Sequence, residues 1–294
     1  MKQLLILSGK GGTGKTTVAG AFIRLAEARA FADCDVDAPN LHLIMQQGSE
    51  PRRSDYHGLP KAVIDPDICI QCDLCRQHCR FSAITVDEHY FVDPFACEGC
   101  SVCKEVCPVD AIQLVPSVDG ELRLYQNVDS VFSTAQLKMG SGTSGMLVSE
   151  VKKQLRTAGV PAELAIIDGS PGIGCPVIAS VSGVDMVLLV AEPSISGVSD
   201  LERVYKTVRS FQVPAAVCIN KADTNSEQAE RIKDFCLQEG IELAGSIPFD
   251  PQAVAAINAG LTIAEVDCPS GQAVKKIFER TMQFLDELDN EDAR

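Results

Sequence analysis

LLILSGKGGTGKTT, residues 4–17, decides how the rest of the chain is read. Leu4 to Leu7 form an apolar strand that runs straight into Gly9-Lys10-Gly11-Gly12-Thr13-Gly14-Lys15-Thr16-Thr17. That segment satisfies G-x4-G-K-[ST] in the strand-then-helix context the pattern requires. Glycines let backbone N–H groups converge on phosphate oxygens, and a helix beginning near Lys15 aims its positive dipole end at the same anion. Lys15 is expected to neutralise β/γ-phosphate charge and the Thr16 hydroxyl to ligate Mg²⁺. Gly9, Gly11, Gly12, Thr13, Gly14 and Thr17 complete the expected cradle for a nucleotide.

Composition bounds what surrounds this loop. The chain has 294 residues, 46% hydrophobic and 5% aromatic with no Trp, which suits an α/β protein with an aliphatic sheet. A formal charge of −14 argues against nucleic-acid binding through a broad basic surface, although a local basic patch stays open. The N-terminus reads as a first strand rather than a signal peptide. No apolar run approaches the ~18 residues of a membrane span. Thirteen cysteines without a secretion signal point to thiolate ligands in a reducing compartment, so a cytoplasmic location is expected.

Eight of those cysteines fall into two copies of one spacing. The first is Cys69-x2-Cys72-x2-Cys75-x3-Cys79, and the second, 28 residues on, is Cys97-x2-Cys100-x2-Cys103-x3-Cys107-Pro108. The run resembles that of bacterial two-cluster ferredoxins, in which the fourth cysteine of each run ligates the other cluster. The resemblance implies one [4Fe-4S] cluster on Cys69, Cys72, Cys75 and Cys107, and another on Cys79, Cys97, Cys100 and Cys103. A pair of zinc sites is the alternative, since Cys-x2-Cys pairs suit tetrahedral zinc; three close cysteines plus a fourth, repeated, suit a cubane better. Each half is expected to be a cysteine loop followed by a short strand after Ala83-Ile84 or Ala111-Ile112. Arg80 stands where ferredoxins often carry Pro, which would separate the two potentials through solvent access or hydrogen bonding. Residues 61–120 hold four Lys/Arg against ten Asp/Glu, a balance that either favours a basic redox partner or merely keeps a small domain soluble.

Lys10, a second lysine at the start of the phosphate loop, makes GKGGTGKTT a deviant Walker A pattern. It resembles the SIMIBI-type superfamily of MinD, ParA, Mrp and the nitrogenase iron protein, and the likeness extends along nearly the whole chain. The resemblance implies that Lys10 reaches across a dimer interface to the partner's phosphates, and that Lys10, Lys15 and Asp35 are catalytic. FADCDVDAPNL, residues 31–41, looks like switch I. There Asp35 matches the aspartate that positions the attacking water and joins the Mg²⁺ set, while Asp33 and Asp37 either support the Mg²⁺ shell or cap the turn. ELAIIDGSPGIG, residues 163–174, looks like Walker B and switch II. Asp168 would reach Mg²⁺ through water, and Gly169 to Gly172 would sense the γ-phosphate. Asn220-Lys221-Ala222-Asp223 resembles the base-recognition corner, with Asn220 on an adenine edge. An N-K-x-D run also serves GTPases, where the Asp pairs with guanine; the deviant loop favours ATP. Asp223 and Pro248, in the following Ile247-Pro-Phe-Asp-Pro251 loop, join the nucleotide-binding set.

Helical periodicity is expected over 15–28, 146–158, 176–182, 197–210, 226–239, 251–258 and about 271–288, alternating with apolar strands. The fold class is therefore α/β: a P-loop NTPase with a mainly parallel sheet covered on both faces, carrying an inserted two-cluster ferredoxin-like α+β domain. The boundaries expected are 1–57 with 121–294 for the ATPase, and 58–120 for the insert. The acidic tail opposes a MinD-type membrane helix. Cys34, Cys218 and Cys236 read as core residues, and Cys175 as a position near a dimer axis. His42, His57, His78 and His89 show no ligand pairing.

The resemblance implies an ATP-binding and ATP-hydrolysing iron–sulfur protein with ATP/ADP, Mg²⁺ and two [4Fe-4S] clusters. Its partners would be a second copy or a related ATPase on ATP binding, and a redox or iron–sulfur client. A ParA/MinD-like positioning ATPase with structural or sensory clusters is the alternative. So is a cluster carrier or scaffold, disfavoured because no C-terminal Cys-x2-Cys is present.

Overall fold

The computed structural model describes residues 1–45 and 47–292. In chain order the elements begin with β1 (Lys2–Leu7), α1 (Lys15–Leu25), β2 (Ala30–Asp33), α2 (Leu41–Ile44) and β3 (Arg52–His57). The cysteine-rich stretch holds β4 (Lys61–Ile64), α3 (Leu74–His78), β5 (Ile84–Val86), β6 (Tyr90–Val92), α4 (Val102–Glu105) and β7 (Ile112–Val115). Then come β8 (Val118–Gln126), β9 (Val131–Leu137), α5 (Ser144–Thr157), β10 (Leu164–Asp168), α6 (Cys175–Val181) and β11 (Met186–Ala191). The chain closes with α7 (Ile195–Ser210), β12 (Ala215–Asn220), α8 (Ser226–Glu239), β13 (Glu242–Ile247), α9 (Pro251–Asn258) and α10 (Pro269–Asp292).

Among the described residues, nine strands form one sheet in the order β13-β12-β11-β1-β10-β2-β9-β8-β3. The pairings from β13 to β9 are parallel, and β8 and β3 close the edge antiparallel. β1 shows why its sequence is apolar without alternation: Leu5 and Leu7 enter one core while Leu4 and Ile6 enter the other. A strand buried on both faces has no polar side to show. α1 and α10 cover one face through Val18, Phe22, Val274 and Ile277, with Phe22 and Phe278 meeting edge to face at 5.2 Å. α5, α6, α7 and α8 cover the other through Leu147, Val177, Leu201 and Ile232.

α1 ends at Leu25 rather than at residue 28, because Glu27 turns left-handed (φ 46°) and Ala28 N–H bonds back to the Ile23 carbonyl. β3, β8 and β9 were not foreseen, and β8 runs through the expected boundary at residues 120/121. Arg52, Arg53, Ser54 and Asp55 are exposed on β3, the polar dress of an edge strand, which hides it from an apolar-run reading. His57 at the end of β3 pairs with Val118 at the start of β8. The intervening segment therefore leaves the sheet and returns at adjacent points.

That segment has its own small core of Ala62, Ile64, Ala83, Ile84, Val92 and Ile112 with the cysteines. Its two halves interleave: β4 of the first pairs with β7 of the second, and β5 of the first with β6. Equivalent backbone bonds recur 28 residues apart, Cys69 N–H to Asp65 O and Cys97 N–H to Asp93 O, each at 3.0 Å.

Candidate functional site

Parallel strands deliver their loops to one end of the sheet, where ligands of open α/β folds bind. Leu7, Asp33, Asp168, Ala191, Asn220 and Ile247 all end strands there. Gly12 and Gly14 take left-handed backbone (φ 80° and 92°), which turns the loop so that α1 starts at Lys15. A side chain on Gly14 would also strike Asn220 Nδ2 at 2.2 Å, so this glycine is needed for space as well as for φ.

Lys15, 6% exposed, forms an ion pair with Asp168 at 2.5 Å. Its pKa is raised: burial opposes the charge, but Asp168, Asp33 and Asp35 outweigh it. Asp35 is pushed up, chiefly by burial. Asp33 is pushed up to about 7, first by burial and then by the charge of Asp168. Asp33 also caps the switch I turn, accepting N–H bonds from Asp35, Asn40 and Leu41 at 2.9–3.0 Å. Three acids thus crowd one lysine, an excess that a divalent cation would neutralise. The buried Asp168 Oδ2 and Thr13 Oγ1 have no hydrogen-bond partner among the described residues. Such orphaned atoms are costly without a ligand, so the donor set fits Mg²⁺ on Thr16, Asp35 and Asp168. Thr16 Oγ1 lies 3.5 Å from Lys15 Nζ.

Switch II follows Asp168 and is tied to the loop and to switch I: Gly169 N–H donates to Ile6 O, Gly172 N–H to Ser8 O, and Ser170 Oγ to Cys34 O at 2.5 Å. On the base side, Asn220 Nδ2 donates to Thr13 O at 2.7 Å, and Lys221 Nζ to Gly12 O at 3.2 Å. Asp223 accepts the Phe249 N–H at 2.6 Å, fastening the loop that carries Pro248. The sequence reading missed the partners of Lys10. Its ammonium pairs with Glu192 and donates to Ser194 and Ser196 at 3.2 and 3.0 Å, within its own subunit. Glu192, Ser194 and Ser196 follow β11 as an acidic, hydroxyl-rich turn, and that polarity beside a buried strand was the available signal.

The cysteines gather in two clefts. One is lined by Cys69, Cys72, Cys75 and Cys107; the other by Cys79, Cys97, Cys100 and Cys103. Among the described residues no three His, Cys, Asp or Glu side chains converge closely enough to hold a metal ion. The sulfurs line the walls of the two clefts, four in each. Gln71, Asp73 and Ser82 take positive φ in the first half, and Gly99, Ser101 and Asp110 do so at the positions 28 residues on. Five of those six residues carry a side chain, and left-handed backbone at non-glycine positions persists where the surroundings impose it. Cys34, Cys218, Cys236 and Cys268 are buried, and Cys175 is exposed at the start of α6. No helix among the described residues is long and apolar enough to cross a membrane.

A family model described as the CobQ/CobB/MinD/ParA nucleotide binding domain matches residues 4–263. An uncharacterized protein of Methanocaldococcus jannaschii is 29% identical over 96% of this chain and 97% of its own length. An uncharacterized ATP-binding protein of the same organism is 21% identical over 93% of this chain and 85% of its own. The cell division ATPase MinD of Pyrococcus furiosus superposes with a TM-score of 0.57 at 18% identity, covering 96% of this chain and 99% of that one. MinD of Pyrococcus horikoshii, solved with Mg-ADP, gives 0.56 at 18% over 95% of each chain. At these identities the superpositions speak for the fold alone.

Proposed function

The chain belongs to the CobQ/CobB/MinD/ParA nucleotide-binding family, and from that premise we propose an ATP-hydrolysing iron–sulfur protein whose ATP-bound dimer controls two [4Fe-4S] clusters. Sorting of the eight cysteines into two clefts of four, with Cys79 and Cys107 exchanged between the runs, is the observation that carries this reading. Two-cluster ferredoxins use that exchange. Clusters bound there would supply one-electron carriers. The chain's own part is to hold them: Lys61 Nζ donates to Cys97 O at 2.6 Å, and the Ala111 N–H to Cys107 Sγ at 3.3 Å. The Lys61 bond holds the backbone of the Cys97 loop, and the Ala111 N–H, donating to a ligand sulfur, is of the kind that tunes a cluster potential.

At the nucleotide, Lys15 would leave Asp168 for the β/γ-phosphates and release that carboxylate towards Mg²⁺. Asp35 would orient the attacking water, and Asn220 the adenine edge. Asp223 is fastened to Phe249 N–H, which leaves it less free to read guanine and supports ATP. Lys10 would exchange Glu192 for the phosphates of a second subunit. That subunit is another copy or a related ATPase, and the output is a redox or iron–sulfur client.

A second reading, a MinD/ParA-like positioning ATPase with structural clusters, draws on the family description and on the MinD fold. Anaerobic reconstitution followed by iron analysis tests the first claim: about eight irons per chain are expected, and two zincs would defeat it. Reduction potentials measured without nucleotide, with ADP and with ATP separate the two readings. Potentials indifferent to nucleotide would favour the positioning ATPase.

A further inference from the structure

α5 and α6 are locked together at both ends. At the N-terminal end, a side chain on Gly145 would meet the Cys175 carbonyl oxygen at 3.0 Å, so the two helix starts touch backbone to backbone. At the other, the Lys152 ammonium, 3% exposed, donates to the carbonyls of Ser180 and Ser182 at 2.7 Å each. Those carbonyls end α6, where a cation answers both the unpaired oxygens and the helix dipole. Packed side chains from both helices fill the space between. These contacts couple the two helices.

One end of that pair is switch II, because α6 begins immediately after Gly174. The other is the loop 138–143, which enters α5. This loop lies against the second cysteine run: a side chain on Gly140 would meet the Phe95 ring at 3.2 Å, and one on Gly142 the Glu98 carboxylate at 3.4 Å. Glu98 sits between Cys97 and Cys100. The same loop ends at Thr143, whose buried hydroxyl and the buried Asp119 Oδ2 both lack hydrogen-bond partners among the described residues. Both face Gly58, where a Cβ would lie 2.8 and 2.2 Å from them. Two unpaired polar atoms packed close about a bare glycine make this an unsatisfied contact, one that costs free energy as it stands.

We propose that the α5–α6 pair carries the nucleotide state from switch II, through loop 138–143, to the Cys97–Cys100 loop, with Gly58, Asp119 and Thr143 as its pivot. This link rests on the reading of the chain as a nucleotide-controlled iron–sulfur protein. It makes the cluster on Cys79, Cys97, Cys100 and Cys103 the responsive one, since loop 138–143 touches Phe95 and Glu98 of the second run.

Amide hydrogen exchange on the full, cluster-loaded chain tests it, with Mg²⁺ and a non-hydrolysable ATP analogue as the probe. Severalfold slower exchange is expected at residues 9–17 and 169–174, together with a severalfold change at 138–145 and 95–101. The surface variant Phe95→Ala/Glu98→Gln should keep the response at the first three segments and lose it at 95–101, with iron content unchanged. Protection at 9–17 with 95–101 unmoved in the unaltered chain would overturn the link alone. A response at 95–101 that survives in the double variant would also overturn it. No protection at 9–17 would overturn both the link and the nucleotide reading beneath it.

Discussion

Lys10 and Gly14 show how differently two residues of one loop come to be required. Lys10 is held by Glu192, Ser194 and Ser196 of its own subunit, so a dimer must break those contacts before the lysine can serve a second nucleotide. Lys10→Ala is expected to abolish ATP-driven dimerisation while nucleotide binding stays measurable. Unchanged dimerisation in sedimentation runs would refute the trans role. Gly14 is a matter of backbone. Gly14→Ala forces a left-handed alanine against Asn220 and should destabilise the nucleotide-free protein by about 1–2 kcal/mol. Gly11→Ala meets nothing within 4 Å and should leave stability unchanged in the same denaturant titration. Sequence alone assigned the loop because its chemistry is local. It could not supply the resting partners of Lys10, which lie more than 180 residues away and join only when β11 is laid beside β1.

Among the elements, the unbroken apolar runs were legible, and the strands with polar residues interspersed were not. β1, β10, β11 and β12 are unbroken apolar runs ending at acids, amides or glycines, and helices with apolar stripes separate them. β3 and β9 carry Arg, Ser, Thr and Gln, and only pairing with β8 and β2 makes them strands. Burial likewise sets the state of Lys152, whose pKa is pushed down from 10.5 to about 8. Between those values the unfolded chain keeps a proton that the folded chain has released, so this residue makes stability rise with pH from about 8 to about 10.5. Lys152→Met should lose that rise, as read from urea unfolding of both proteins across the window. Parallel pH curves would show that the α6 carbonyls hold the ammonium charged throughout.

At the scale of the whole molecule, the fourth cysteine of each run lines the cleft of the other run, so both clefts belong to one small core. Pairs of substitutions test this more sharply than single ones. Cys79→Ser/Cys100→Ser strikes one cleft and should leave about four irons per chain, whereas Cys79→Ser/Cys72→Ser strikes both and should leave almost none. An uncrossed arrangement would reverse the two results. The 28-residue repeat made the eight cysteines legible in sequence, and the family resemblance supplied their crossing. The approach of loop 138–143 to Phe95 and Glu98 was invisible, since it joins parts of the chain with no shared pattern.

His57 and Val118 sit opposite each other in the ladder of β3 and β8. To the sheet, everything between them is a single oversized hairpin turn. Closing a long loop costs only slightly more entropy than closing a short one, so the core need not notice what the loop contains. The cysteine-rich stretch is then a cassette. Excising residues 58–117 and joining the strands through Asn-Gly, the tight turn such ribbons prefer, should yield a shorter chain that still folds and binds nucleotide. It would bind nucleotide without the eight cysteines, so any property of the full chain that the excision abolishes belongs to the excised stretch.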